Sequence, residues 1–256
     1  MNKFDLDLPH PLMNAAGTLG FAPDPHGPVN LAHFGAFVTN PLSIEARTPA
    51  NGQRYTGYPG NFLLHTGFPN PGFHTIVKAF AARWRRSTPG IIVHILVHGP
   101  DDTSEMAKRL ESIEGLIGIE LGIGSTADAV AVRTLTEAAA WVELPVIARL
   151  PFECARELAE AAVAGGAAAI SLAPPRGLLP NTHGGMLRGR LYGPALFPQA
   201  LAQTQAVAAL DVPVIAAGGV YTDENVQAML AAGAIGVQVD AMLWGVSFLS
   251  KYATGG

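Results

Sequence analysis

The chain has 256 residues, 49% of them hydrophobic and only 14% charged. That is ample material for a large core and excludes a disordered chain. Sixteen Lys and Arg against twenty Asp and Glu leave a net charge of −4, which argues against nucleic acid as a partner, and one cysteine excludes a disulfide framework or a Cys-based zinc site. In chain order, the apolar periodicity predicts strands at Leu12–Ala15 and Ala36–Thr39, then an element-poor stretch from Pro41 to Pro71. A helix over Ile76–Arg86, a strand over Ile91–Val97 and a helix over Thr103–Glu111 capped by Asp102 follow. Next come strand Leu116–Leu121, helix Ala127–Trp141, strand Val146–Leu150, helix Glu153–Ala164 and strand Ala168–Leu172. A second element-poor stretch, Ala173 to Pro194, carries Arg176, His183, Arg188 and Arg190. Helix Ala195–Leu210, strand Val214–Ala217, helix Asp223–Ala232 capped by Thr222 and strand Gly236–Val239 complete the series.

Strands alternating with helices imply a parallel sheet with right-handed crossovers. Leu144-Pro145-Val146-Ile147 recurs as Val212-Pro213-Val214-Ile215, and Ala164-Gly165-Gly166-Ala167 as Ala231-Ala232-Gly233-Ala234. Eight strands at this length fit a (β/α)8 TIM barrel, a single α/β domain over residues 1–256. A doubly wound open sheet is the alternative, weakened because no Gly-x-Gly-x-x-Gly follows the first strand. Both long loops leave the C-terminal ends of strands, where barrel active sites sit. Met1 to Pro11 does not read as a signal peptide, and the apolar stretches are too broken to span a bilayer, so a cytoplasmic location is expected.

His94, Glu120 and Arg149 fall inside apolar strands, where charge is rarely buried unless paired. Glu120 and Arg149 are the natural pair, structural or catalytic. His94 and His98 are too far apart on a strand to share one metal ion, so none is expected. Cys154 reads as a small buried hydrophobe. Ser125 precedes a helical pattern, and on that ground it reads as an N-cap.

Met13-Asn14-Ala15-Ala16-Gly17-Thr18-Leu19-Gly20, Phe34-Gly35-Ala36-Phe37-Val38-Thr39, Gly67-Phe68-Pro69-Asn70-Pro71-Gly72 and Tyr192-Gly193-Pro194-Ala195 occur in that order. They are followed by Pro213-Val214-Ile215-Ala216-Ala217-Gly218-Gly219-Val220 and Ala232-Gly233-Ala234-Ile235-Gly236-Val237-Gln238-Val239. From Asn14 to Asp240 the set resembles the dihydroorotate dehydrogenase superfamily of FMN-binding barrels. The resemblance implies an FMN-dependent oxidoreductase acting on a small-molecule ligand, with Ala15, Ala16, Gly17 and Gly193 along the flavin and Gly218 and Gly219 at its phosphate. It implies Ser125 as the proton-removing residue. Arg149 stands where the family has a lysine facing the flavin, as a cation able to stabilise its reduced anion, and Asn40 takes the place of another lysine at the flavin.

The sequence departs from the family pattern at Asn40, Leu64, Gly122 and Pro174, where the family has polar ligands for the flavin or the pyrimidine. A site without those partners discriminates against dihydroorotate by several kcal/mol, so a different substrate is expected. Asp240 replaces a small residue next to the phosphate and needs to turn away or pair with Arg188 or Arg190. Two other readings stay open: a diverged barrel that binds a ligand or partner without flavin redox chemistry, and a non-redox enzyme using Glu120, Arg149 or His94 on a phosphorylated small molecule. A homo-oligomer is left open as well.

Overall fold

The computed structural model describes residues 6, 8–181 and 184–244. In chain order the elements are β1 (Leu12–Asn14), β2 (Ala36–Val38), β3 (Tyr55–Tyr58), β4 (Asn61–Leu64), α1 (Phe73–Trp84), β5 (Gly90–Leu96), α2 (Pro100–Glu111), β6 (Leu116–Gly122) and α3 (Ala129–Ala139). They continue with β7 (Val146–Leu150), α4 (Ala155–Ala164), β8 (Ala169–Leu172), β9 (Arg176–Pro180), β10 (Met186–Tyr192), α5 (Phe197–Ala208), β11 (Val214–Ala217), α6 (Asp223–Ala231) and β12 (Ala234–Val239). Eight parallel strands close into a barrel in the order β1-β12-β11-β8-β7-β6-β5-β2, the (β/α)8 architecture that the alternation predicts.

The barrel strands are nearly continuous Val, Ile and Ala because both faces are covered. Their outward side chains pack under the helices, as Ile91, Val93 and Ile95 do. Their inward side chains form a separate layer of Met13, Ala36, Val38, Ile92, Ile147, Ala169 and Ile215. Successive inward positions are two residues apart. The next step toward the C-terminal ends therefore brings His94, Glu120, Arg149, Ser171 and Gln238 into the interior, and all five are buried.

Several boundaries differ from the sequence expectation. Helix α2 starts at Pro100, after Gly99, so Asp102 lies in its first turn and does not cap it. Proline preset for the first helical position begins the helix earlier than the acidic pair suggests. Helix α3 is capped by Asp128, whose carboxylate accepts from the Ala131 N–H at 2.8 Å, so Ser125 is not the N-cap. Thr222 does cap α6, in a reciprocal capping box with Asn225. The two stretches read as element-poor each contain a hairpin, β3–β4 and β9–β10, and β4 pairs with β10 to give one antiparallel sheet, β3-β4-β10-β9. Among the described residues no helix is long and apolar enough to cross a membrane.

Candidate active site

Because the barrel strands are parallel, the residues that end them share one mouth. Asn14 ends β1, Thr39 follows β2, Ser125 follows β6, Arg149 is the penultimate residue of β7, Gly218 follows β11 and Asp240 follows β12. The hairpin sheet belongs to the loops leaving β2 and β8 at the same end.

At the floor of this mouth Glu120 is fully buried and collects four partners. Its Oε2 accepts from His94 Nδ1 at 2.6 Å and from Arg149 at 3.2 Å. Its Oε1 accepts from the Ser171 hydroxyl and the Gln238 amide, each at 2.7 Å. Burial alone would raise the Glu120 pKa. The Arg149 guanidinium, then the His94 contact and the Ser171 hydroxyl, instead hold it well below the usual carboxylate range. Burial lowers the His94 pKa, against the opposing pull of Glu120, so the ring is neutral. An ionised Glu120 can only accept, so Nδ1 carries the proton and Nε2 is left as an acceptor. A Cβ at Gly122 would lie 2.6 Å from that Nε2, so the imidazole occupies space that any larger residue at 122 would claim.

Above the floor opens a cavity of about 200 Å³. Its lining includes Ala16, His94, Gly122, Ser125, Arg149 and Pro174, together with Arg47, Arg176 and Arg190 from the long loops. Of the residues singled out in the sequence, Ala16, Ser125 and Arg149 are thus brought to one space. Ser125 is exposed there.

The other residues that the resemblance assigns to the flavin do not line the cavity. Ala15 is tied down by its N–H to Val239 O at 2.8 Å, and Gly17 is exposed with a φ of 92°. Asn40 is occupied with Gly20, donating its N–H to Gly20 O at 2.7 Å and accepting from Gly20 N–H at 3.1 Å. Gly193 has a φ of 134° and lies against Asn61. Gly218 and Gly219 are buried, the latter against the backbone at the start of α5. No described residue accepts a hydrogen bond from the N–H of Gly218 or Gly219.

Asp240 is buried and turns its carboxylate back on its own backbone, accepting from the Ala241 N–H at 2.5 Å. Burial pushes its pKa up to about 6. No ion pair joins it to Arg188 or Arg190: Arg188 is exposed on β10, and Arg190 stacks over the Phe68 ring at 4.0 Å. His183, noted in the same loop, lies outside the described residues. Sequence reasoning missed Ser171 and Gln238 as partners of Glu120. Their signal is positional, the same inward step of two that marks Glu120 and Arg149.

A barrel whose strand ends carry a polar cluster under a cavity has the layout of an α/β-barrel enzyme. Comparison with known proteins narrows the class. The family model for dihydroorotate dehydrogenase matches residues 1–169, and the model for nitronate monooxygenase matches residues 183–247. The catalytic subunit of dihydroorotate dehydrogenase B (NAD(+)) from Alkaliphilus oremlandii (strain OhILAs) is 31% identical over 97% of this chain and 87% of that protein. Its counterpart from Desulforudis audaxviator (strain MP104C) is 29% identical over 91% of this chain and 83% of that protein. The one from Trichlorobacter lovleyi is 30% identical over 91% and 84%. The chain belongs to the dihydroorotate dehydrogenase family.

Proposed function

We propose that this chain is an FMN-dependent oxidoreductase whose substrate is a small molecule other than dihydroorotate, bound in the cavity at the barrel mouth. One observation carries the substrate half of that reading: none of the described residues lining the cavity is Asn or Gln. A planar pyrimidine would find no side-chain amide to pair with its own amide groups, and Gly122, Ala173 and Pro174 offer no polar side chain in their place.

The residues present fit the cofactor in two places. The N–H groups of Gly218 and Gly219, which no described residue accepts, suit a phosphate, because backbone donors bind anions whatever the side chains. Ala16 and Arg149 border the cavity, a small residue that admits a flat ring and a permanent cation that balances negative charge on it. Asp240 at the same barrel mouth opposes an anion when ionised and does not when protonated, so phosphate binding favours its protonated form. When bound, FMN supplies a hydride acceptor.

The chain's own residues would handle the proton and the orientation. Glu120 holds Arg149 and His94 in fixed positions through its two oxygens. His94 presents an unprotonated Nε2 and lines the cavity, and Ser125, at the position of the family's proton-removing residue, lines it too. A serine needs a neighbouring base to act; His94, oriented by Glu120, has the properties of one.

The same His94–Glu120 contact favours a second reading, a flavin-free enzyme that moves protons by acid–base chemistry alone. Dihydroorotate offered with several electron acceptors tests the substrate half: no saturable turnover is expected. Robust turnover would show that Gly122 and Pro174 do not exclude the pyrimidine.

A further inference from the structure

The hairpin sheet places Arg176 of β9 directly opposite Arg190 of β10 in an antiparallel ladder. Like charges facing each other across strands are destabilising. Burial, with the neighbouring Arg149 and Arg176 charges and against the opposing pull of Tyr192, lowers the Arg190 pKa to about 10. Arg47 also borders the space and donates its Nε to Gly67 O at 3.1 Å. Among the described residues no carboxylate forms a salt bridge with Arg47, Arg176 or Arg190. Four arginines thus border the cavity; Glu120 beneath it balances Arg149, and Glu153 is the one carboxylate in the lining. That carboxylate is engaged by the Arg176 backbone N–H at 2.8 Å. The chain as a whole carries a net charge of −4, so this concentration of cations is local.

We infer that the cavity takes a small anion of at least two negative charges, a dicarboxylate or a phosphate monoester, with Arg176 and Arg190 as its paired recognition groups. Guanidinium forks suit both chemistries, since each offers two donors to two oxygens. The repulsion that the facing pair imposes on the sheet is relieved when a multivalent anion lies between the two groups. The inference rests on the reading of this cavity as the substrate site and names the class of substrate.

Calorimetric titration of the full chain with malonate, inorganic phosphate at pH 8 and acetate tests it, each with and without FMN. Malonate or phosphate should bind at least tenfold more tightly than acetate, and the tighter of the two identifies the ligand type. Arg176→Gln and Arg190→Gln should each lower that affinity at least tenfold while leaving the melting temperature unchanged or higher. A merely structural arginine would lower it. Equal affinity for acetate, or unchanged affinity in both variants, would overturn the inference. So would competition between FMN and malonate, because the arginines would then serve the cofactor phosphate. No turnover is measured, so a chain that refuses FMN but binds malonate would sink the proposed function and leave the anion site standing.

Discussion

Glu120 shows how a single buried charge is made tolerable and useful. Its two oxygens receive four donors, so neither a lone charge nor an empty lone pair faces the interior. Removing the permanent cation should be costly: Arg149→Met is expected to lower stability by about 3–5 kcal/mol in urea unfolding, since the carboxylate loses its main compensating charge. An unchanged midpoint would mean that the guanidinium contributes nothing to holding Glu120. Asp240 works with the opposite sign. Its folded pKa of about 6 lies above the ordinary 3.8, so the folded state favours the protonated form and loses stability as the pH rises from about 4 through 6. At about 1.4 kcal/mol per unit the loss approaches about 3 kcal/mol above pH 6. Asp240→Asn, which keeps an oxygen for the Ala241 N–H, should therefore stabilise the protein at pH 7.5 and have little effect at pH 4, read as the difference in urea midpoints. At this scale Glu120 and Arg149 were legible as a pair, because charge inside an apolar strand demands a partner. Ser171 and Gln238 were not, because a serine or glutamine in a strand carries no such demand.

At the scale of elements, the barrel strands stood out and the mouth did not. Continuous Val, Ile and Ala runs mark strands buried on both faces. The hairpins β3–β4 and β9–β10 are short, and most of their residues are exposed or half-buried. Gly, Pro and Asn around their turns read as loop, although Tyr55-Thr56-Gly57-Tyr58 and Asn61-Phe62-Leu63-Leu64 around Pro59-Gly60 fit a hairpin. Their pairing through β4 and β10 is long-range and follows from the tertiary fold. Gly193 makes the junction from β10 to α5. Its φ of 134° is open to glycine, and a Cβ there would meet Asn61 and the Gly60 carbonyl. Gly193→Ala should cost about 1–3 kcal/mol and loosen the β4–β10 pairing, seen as faster amide exchange at Phe62 and Tyr192, which face each other across the two strands. Wild-type exchange in a variant of normal stability would contradict that account.

For the whole molecule, eight buried runs and six helical patterns were sufficient to read the barrel, and ordered glycine motifs were sufficient to read the family. The charge at the mouth was not readable, because Arg47, Arg176 and Arg190 come together only when two distant loops form one sheet. The proposed function requires that this barrel hold FMN at its mouth, with the Gly218 and Gly219 amides, which no described residue accepts, at the phosphate and Arg149 beside the ring. Fluorescence-quenching titration of the purified chain with FMN tests it most directly. Saturable binding of one FMN per chain, tighter at pH 5.5 than at pH 8 as Asp240 takes up its proton, is the expected result. No binding at high micromolar FMN at either pH would contradict the claim and favour the flavin-free acid–base enzyme built on His94 and Glu120.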